Sequence, residues 1–363
     1  MSPEEFDLDS FLSDPPVVLD SDAGYEPVGE TGTSSGPGWQ EPGYTGQIDY
    51  RIRQLSYSSL LTLHSCPRKF QLQKLRTTHR AEESLKSTIT FSFGHVVGEG
   101  IALALEGRSE SEVIWQMFLS WHSPSIFDHD EKANKSLWSA ILAIKRFFIL
   151  RDSILRDYEL VSYQSKPATE LSFAIVFPDG FRLRGFVDAV LRHRVSGEIM
   201  VLECKTTGSR AINPTTYKNS AQAIGYSVVL DHIYPSLSSY KVLYLVYSST
   251  AGEYTPIPFI KTYLQRAQWI RELLLDIEVI KMYEGAQIYP MRGESCLSFG
   301  RDCEYINTCT LSTEHLTKDC TAEQEDKTDY QVVISLQDLL ESQLSKIVVQ
   351  TDESLIEIED VML

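Results

Sequence analysis

Ile199-Met200-Val201-Leu202 is apolar at every position and runs directly into Glu203-Cys204-Lys205. Successive residues of a strand face opposite sides. A run apolar on both sides must therefore be covered on both, as inside a sheet flanked by helices. Glu203 and Lys205, at i and i+2, share one face, and Cys204 takes the other. Upstream, Gly185-Phe186-Val187-Asp188 leads into Arg192-His193-Arg194-Val195-Ser196-Gly197-Glu198, a polar stretch that reads as a hairpin turn. A turn centred between Val195 and Ser196 sets Asp188 opposite Glu203. Two carboxylates and an ammonium then meet on an apolar sheet. Unpaired buried charge is costly, so the cluster needs a cation or a chemical role. Two carboxylates with an open coordination sphere suit Mg²⁺, which binds one or two carboxylates together with substrate phosphates.

The remaining periodicity predicts an α/β core with a helical N-terminal lobe and two tails. Leu60, Leu63, Phe70 and Leu75 suit a helix over 56–76, with Pro67 marking a break or a second start. Helices are predicted near 93–106, 110–121, 132–158, 215–231 and 263–284, and a short one near 333–348. Strands are predicted at 169–177, 181–191, 199–205, 240–248 and 256–261. Residues 1–50 are rich in Gly, Pro, Ser and acids and read as a disordered tail. Residues 51–320 form the main domain, and 321–363 an acidic C-terminal tail.

The net charge is −17, which looks wrong for a chain that handles nucleic acid until it is divided. Residues 1–50 hold 11 acids and no Lys or Arg, and 321–363 hold 11 acids and two lysines, which leaves 51–320 at +3. Within it, 51–86 carries eight Lys and Arg, Arg68 and Lys69 among them, against Glu82 and Glu83. That stretch is either a phosphate-tracking surface or a solvated helix face. No apolar run reaches the length of a membrane span. The acidic N-terminus lacks the pattern of a secretory signal, and six cysteines in a chain this long do not make a disulfide framework. The expectation is a cytoplasmic protein with reduced thiols. Glu4-Glu5-Phe6-Asp7-Leu8-Asp9-Ser10-Phe11-Leu12 alternates acids with apolar residues and reads as a docking segment or a solubilising tail.

Ser56-Tyr57-Ser58-Ser59-Leu60 followed by Cys66-Pro67-Arg68-Lys69-Phe70, then Glu170, Gly185-x-x-Asp188, Glu203-x-Lys205-Thr206 and Gln222-x-x-x-Tyr226, occur in that order. From about Ser56 to Cys309 this resembles the RecB-like branch of the PD-(D/E)XK nucleases. A lone E-x-K carries little; five elements in order are specific. The resemblance implies a restriction-endonuclease-like α/β core, a mixed central sheet flanked by helices. It implies Mg²⁺ or Mn²⁺ held by Asp188 and Glu203, with help from Glu170. Lys205 then orients and helps deprotonate the attacking water, or stabilises transition-state charge. Gln222 and Tyr226 contact the DNA backbone and position the lysine. Lys218, Gln222 and Tyr226 recur at i, i+4 and i+8, which predicts one helix face carrying all three.

Two places depart from the family pattern. Many RecB-like enzymes carry a histidine ligand in G-x-x-x-H, whereas Phe93-Gly94-His95-Val96-Val97-Gly98-Glu99-Gly100 has Gly98 at that position. His95 or Glu99 could reach the metal instead, which leaves one metal or two. Three glycines in one helix imply close backbone approach to something. Cys66 with Cys296-x6-Cys303-x5-Cys309 resembles the [4Fe–4S] staple of AddB-type helicase–nucleases and CRISPR-associated exonucleases, except that x6 replaces the usual x2. Four thiolates suit such a cluster; zinc and plain buried cysteines are the alternatives. Cys204 is expected to pack on the apolar side of its strand, and Cys320 to be a free thiol.

The resemblance implies a DNA exonuclease acting at ends or on single strands in recombination, repair, replication or spacer acquisition. It is nearest to phage-encoded members, which would act in an infected bacterial cytoplasm. Two alternatives stand beside it. One is a catalytically weak DNA-binding or scaffold subunit that recruits a helicase, polymerase or single-strand-binding protein through the acidic tails. The other is a structure-specific endonuclease.

Overall fold

The computed structural model describes residues 52–75, 88–121, 133–234, 240–286, 288–298, 301–307, 309 and 329–340. The tail 1–50 with its Glu4–Leu12 segment, part of the basic 51–86 stretch, Cys320 and the end of the C-terminal tail lie outside these residues.

The chain enters through β1 (Gln54–Ser56) into α1 (Tyr57–Ser65). Ser56 starts the helix with a capping box: Ser59 N–H donates to Ser56 Oγ, and Ser56 N–H donates to Ser59 Oγ at 2.8 Å. The break at Pro67 is real. Cys66 is extended, and Pro67 opens α2 (Pro67–Leu75), a position where its missing N–H costs nothing. Three helices build the lobe: α3 (Thr88–Leu105), α4 (Glu110–Leu119) and α5 (Leu137–Asp157). The strands follow as β2 (Tyr158–Leu160), the small pair β3 (Ser162–Tyr163) and β4 (Lys166–Pro167), then β5 (Thr169–Val176), β6 (Arg182–His193) and β7 (Ile199–Thr207). Then come α6 (Thr215–Lys218), α7 (Ala221–Ile233), β8 (Tyr240–Ser248), β9 (Glu253–Lys261) and α8 (Tyr263–Ala286). A small hairpin, β10 (Leu297–Ser298) and β11 (Arg301–Asp302), and then β12 (Val332–Ser335) follow, and residues 336–340 close the described chain as a helical turn.

The mixed sheet has the order β12-β5-β6-β7-β8-β9, with β1 and β2 also on β6. β7 and β8 are parallel and so need a crossover, which α6 and α7 supply. β6 is the axis. Along one edge it pairs with β5 and then β2; along the other it pairs with β1 up to Arg184 and with β7 from Ala189. Between Arg184 and Ala189 that second edge diverges, and the site sits at this opening. One apolar layer, with Val187, Val201, Tyr226 and Trp269, lies under α1, α7 and α8. The other, with Val97, Ile144, Leu202 and Leu245, lies under the helical lobe. The expected mixed sheet flanked by helices is what forms.

Two elements differ from expectation. The predicted helix 215–231 is two helices, broken at Asn219-Ser220, residues whose side chains compete for backbone groups inside helices. Lys218 ends α6, where its carbonyl accepts from the buried Lys261 ammonium. It does not continue the face of Gln222 and Tyr226. Of the predicted helix near 333–348, the first residues belong to β12, parallel to β5, and 336–340 are helical. Val332, Val333 and Ile334 are β-branched and stiff at χ1, and Ser172 and Gln331 clamp the new edge through Ser172 N–H to Oε1 at 3.2 Å and Gln331 N–H to Ser172 Oγ at 3.1 Å. The sheet therefore extends past residue 320, where the main domain was expected to end.

α7, which follows β7, is fixed to α8 by charge. Asp231 and Arg266 pair at 3.2 Å, both with no side-chain exposure, and the Arg266 guanidinium lies 5.1 Å from the Tyr240 ring centroid. Removing one partner of such a pair leaves a buried charge uncompensated. Asp231→Ala should lower unfolding free energy by about 3–5 kcal/mol, measured by urea titration; a loss below about 1 kcal/mol would show that the pair behaves like a surface ion pair.

Candidate active site

Register builds the site. Thr169↔Ala189 and Leu171↔Val187 bracket Glu170 opposite Asp188. On the other edge Ala189↔Leu202 carries the register on to Glu203 opposite Asp188. Three carboxylates thus stand across three adjacent strands. The backbone folds sharply here: Glu170 has φ +47°, a left-handed conformation that a residue with a Cβ adopts at a cost.

Glu203 is completely buried. Lys205 Nζ lies 2.5 Å from its Oε1, and its Oε2 meets no donor among the described residues. Asp188 Oδ2 accepts from the Cys204 N–H at 2.7 Å. Burial pushes the Glu203 carboxyl well above its ordinary value, and the adjacent Asp188 charge adds to it. Burial also raises Asp188, against the pull of Lys205 and the Cys204 N–H. For Lys205 burial works against its charge, but Glu203 and Asp188 outweigh it and the net shift is upward. Glu170 sits at the rim and is held up to about 7, by burial first, then by Asp188 and Glu99. One ammonium thus faces a cluster of carboxylates with an orphaned buried oxygen, and a divalent cation fits that deficit. Among the described residues no three His, Cys, Asp or Glu side chains converge closely enough to share one ion. Asp188 and Glu203 are nonetheless two carboxylates of the kind that Mg²⁺ takes, with water and phosphate oxygens completing its shell.

Gln222 Nε2 donates to Tyr226 Oη at 2.5 Å. Tyr226 is buried, set edge-on to Phe173, and its hydroxyl is held well above its ordinary value by burial and then by Glu203 and Asp188. This pair therefore does stand beside the carboxylates. Gly185 lets a ring approach closely: a Cβ there would lie 2.7 Å from Phe173 Cζ. Cys204 packs on the lobe side of its strand, as expected.

A cleft of about 590 Å³ opens at Asp188 and Lys205 and runs between α1, α7 and α8. Its far wall is one that the sequence reading missed: Trp269, Glu272 and Asp276 of α8, with His64 of α1 bound to Asp276 at 2.8 Å. These residues are about two hundred positions from α1, and no local pattern connects them. A second cavity of about 210 Å³ lies on the lobe side, lined by Gly94, Gly98, Lys205 and Thr206. Of the two proposed substitutes for a histidine ligand, Glu99 is near enough to raise Glu170, and its Oε2 is buried without a donor. His95 is exposed and stacks on Phe91.

The four cysteines lie around a separate small cavity, farther apart than a shared ion requires. Cys66, Cys296, Cys303 and Cys309 are all free and line one small cavity. Burial raises the Cys309 thiol, with further contributions from the other three. Arg68, expected on a DNA-facing surface, is buried here: its Nε donates to the Cys309 carbonyl at 3.0 Å and its Nη1 to Gln71 at 2.5 Å. Its guanidinium serves the cysteine loop, which removes it from the DNA-contacting set. Lys69 lines the same cavity and pairs loosely with Glu304 at 3.9 Å. Lys218 is exposed.

Comparison with known proteins agrees with this geometry. The sequence model described as the PD-(D/E)XK nuclease superfamily matches residues 54–310. No curated protein matches the chain. Among solved structures, the one titled crystal structure of SSO0001 is similar at 14% identity over 63% of this chain and 77% of that chain, with a TM-score of 0.29; no argument is drawn from a likeness this distant.

The raised carboxyls fix a pH dependence. With Glu170 at about 7 against an ordinary 4.5, the folded protein holds a proton that the unfolded chain releases between those values. Stability must then fall as pH rises through that window and level off above it. Asp188 and Glu203, also raised, push in the same direction. Without divalent cations the thermal midpoint should drop between about pH 5 and about pH 8. Glu170→Gln should flatten part of the drop, and Mg²⁺ should stabilise more at the higher pH, because it competes with protons for the same oxygens. A midpoint that rises across this interval would mean that the carboxyls are not held up.

Proposed function

Because this chain belongs to the PD-(D/E)XK nuclease superfamily, and is therefore a nuclease, we propose that it is a metal-dependent DNA exonuclease of the RecB-like branch. Its substrates are DNA ends or single strands. The observation that carries the reading is the buried pair Asp188 and Glu203, with Lys205 at 2.5 Å from Glu203, at the mouth of the cleft.

Asp188 and Glu203 would hold Mg²⁺ or Mn²⁺, with Glu170 at the rim as a further oxygen donor. The ion, when bound, supplies Lewis-acid charge at the scissile phosphate and lowers the pKa of a coordinated water. Lys205, kept charged by its two carboxylates, orients the attacking water and offsets charge as it develops on the phosphate. Gln222, fixed by Tyr226, presents its amide at the cleft wall for the DNA backbone. Lys218 supplies an exposed cation, Lys69 a half-buried one beside the cysteine cavity, and Arg68 does not take part. The catalytic unit runs from β1 to the cysteine segment and includes β12. By the same resemblance the work is recombination, repair or replication in an infected bacterial cytoplasm. The acidic tails are the route to a helicase, polymerase or single-strand-binding partner.

The cysteines, in this reading, hold a [4Fe–4S] cluster. Four free thiols lining one small cavity support it, and loading would have to draw them closer, since as they stand they do not converge on one ion. Its role is structural, since hydrolysis transfers no electron, and it ties α1 and α2 to the segment after α8. Protein purified anaerobically should carry iron and acid-labile sulfide in equal amounts, lost together in Cys303→Ser. Zinc without sulfide would replace the cluster by a zinc site.

End-labelled linear and closed circular DNA, single-stranded and duplex, test the main reading with Mg²⁺, Mn²⁺ or EDTA. Linear DNA alone should be degraded, only with metal, and Lys205→Ala should reduce the rate about 10²- to 10⁴-fold. Cleaved circles would make it an endonuclease. DNA bound but never cut under either metal would make it a binding subunit.

A further inference from the structure

The cleft beside the catalytic pair is not built like a phosphate track. Proteins that follow a backbone line the path with Lys and Arg. Here Lys205 stands at the mouth with Arg184 on the β6 edge, and beyond them the walls are Leu60, Leu61, Tyr57 and Trp269. The lining also carries Glu272 and Asp276, the latter bonded to His64 at 2.8 Å. A second phosphate beside Glu272 would meet a carboxylate. An uncharged aromatic base would meet rings, leucines and hydrogen-bond acceptors.

Phe186 marks where such a base would lie. It lines the cleft two residues before Asp188 and is 45% exposed. Leu61, across the cleft on α1, is 51% exposed. Large apolar side chains on a catalytic cleft have no packing reason to remain uncovered, and a nucleobase would cover them. Two residues of strand span about 6–7 Å, within reach of a base whose phosphate is held at Asp188. The volume, about 590 Å³, falls in the range that encloses small organic ligands.

We propose that this cleft is an unpaired-base pocket: it takes the base next to the scissile phosphate, turned out of any duplex and stacked on Phe186. The inference rests on reading Asp188, Glu203 and Lys205 as the cleavage centre, and it narrows the substrate of that centre to strands whose terminal base is free. Recognition is by stacking and is therefore tolerant of base identity.

The test uses full-length protein and single-stranded oligonucleotides with 2-aminopurine as the terminal base. On the Lys205→Ala protein, with Mg²⁺, binding should quench the fluorophore, and the added Phe186→Ala should remove the quench. In otherwise wild-type protein, Phe186→Ala should raise KM about 5- to 150-fold, the range spanned by 1–3 kcal/mol of base–aromatic stacking, with kcat changed far less. Phe186→Trp should restore affinity and Phe186→Leu should not, a distinction that a merely structural role would not make. An abasic terminal nucleotide should weaken wild-type binding but not weaken Phe186→Ala further. If wild type cuts DNA and Phe186→Ala leaves both KM and the quench unchanged, the pocket is refuted and the nuclease reading stands. If wild type cuts nothing while the quench depends on Phe186, the pocket stands and the nuclease reading falls.

Discussion

Everything near the centre of this fold is arranged around one unfavourable act, the complete burial of Glu203 beside Asp188. Taking a carboxylate out of water costs several kcal/mol even after relaxation. A single ammonium, that of Lys205, stands against both, with Glu170 at the rim adding to the imbalance. The surroundings hold the arrangement in place. The Cys204 N–H fixes Asp188 from the backbone. α7 carries Gln222 and Tyr226 against the pair and is itself locked to α8 by Asp231 and Arg266. The left-handed turn at Glu170 adds a further local cost. Such concentration of strain and like charge is usual where a site needs a cation to complete it.

The hairpin that makes this centre was readable because its information is local. A period of two and a polar turn fix which residues face each other, and the observed pairing Ala189↔Leu202 continues the register expected from the turn. The break at Pro67 and the positions of the helices were readable for the same reason. What failed was a surface property inferred from residue type. Arg68 looked like a phosphate ligand because it belongs to a basic stretch, but it is buried against the Cys309 carbonyl, 241 residues away. Lys218 looked like part of a helical face because the spacing was right, but Asn219-Ser220 ends the helix first. β12 was hidden in an acidic tail, since four residues are too few for a period to register.

The cleft shows the same limit from another side. α1 and α8 meet across it through His64 and Asp276, 212 residues apart, and neither residue belongs to a motif. The catalytic face was legible, while the wall opposite it depends on how a long helix packs. Gly225 decides part of that packing. A Cβ there would lie 2.7 Å from Trp269 Cζ2, so the missing side chain brings α8 close enough to form the wall.

The glycine helix α3 separates two reasons for having no side chain. Gly100 presses on α5, where a Cβ would come within 2.8 Å of Ile144, which is the close approach that glycine-rich helices lead one to expect. Gly98 is different: a Cβ there would meet nothing within 4 Å, so packing does not explain it. What lies above it is the cavity that also reaches Lys205, Cys204 and Thr206. At this position the absent side chain preserves open volume next to Lys205, on the side of β7 away from the main cleft. Glu99, one residue on, carries its charge toward Glu170 instead, with one oxygen held by Gln116 and the other buried without a donor. The departure from the family's histidine pattern at Gly98 thus removes a side chain from a space that the fold keeps clear, and it leaves Asp188, Glu203 and Lys205 where the register of the sheet puts them.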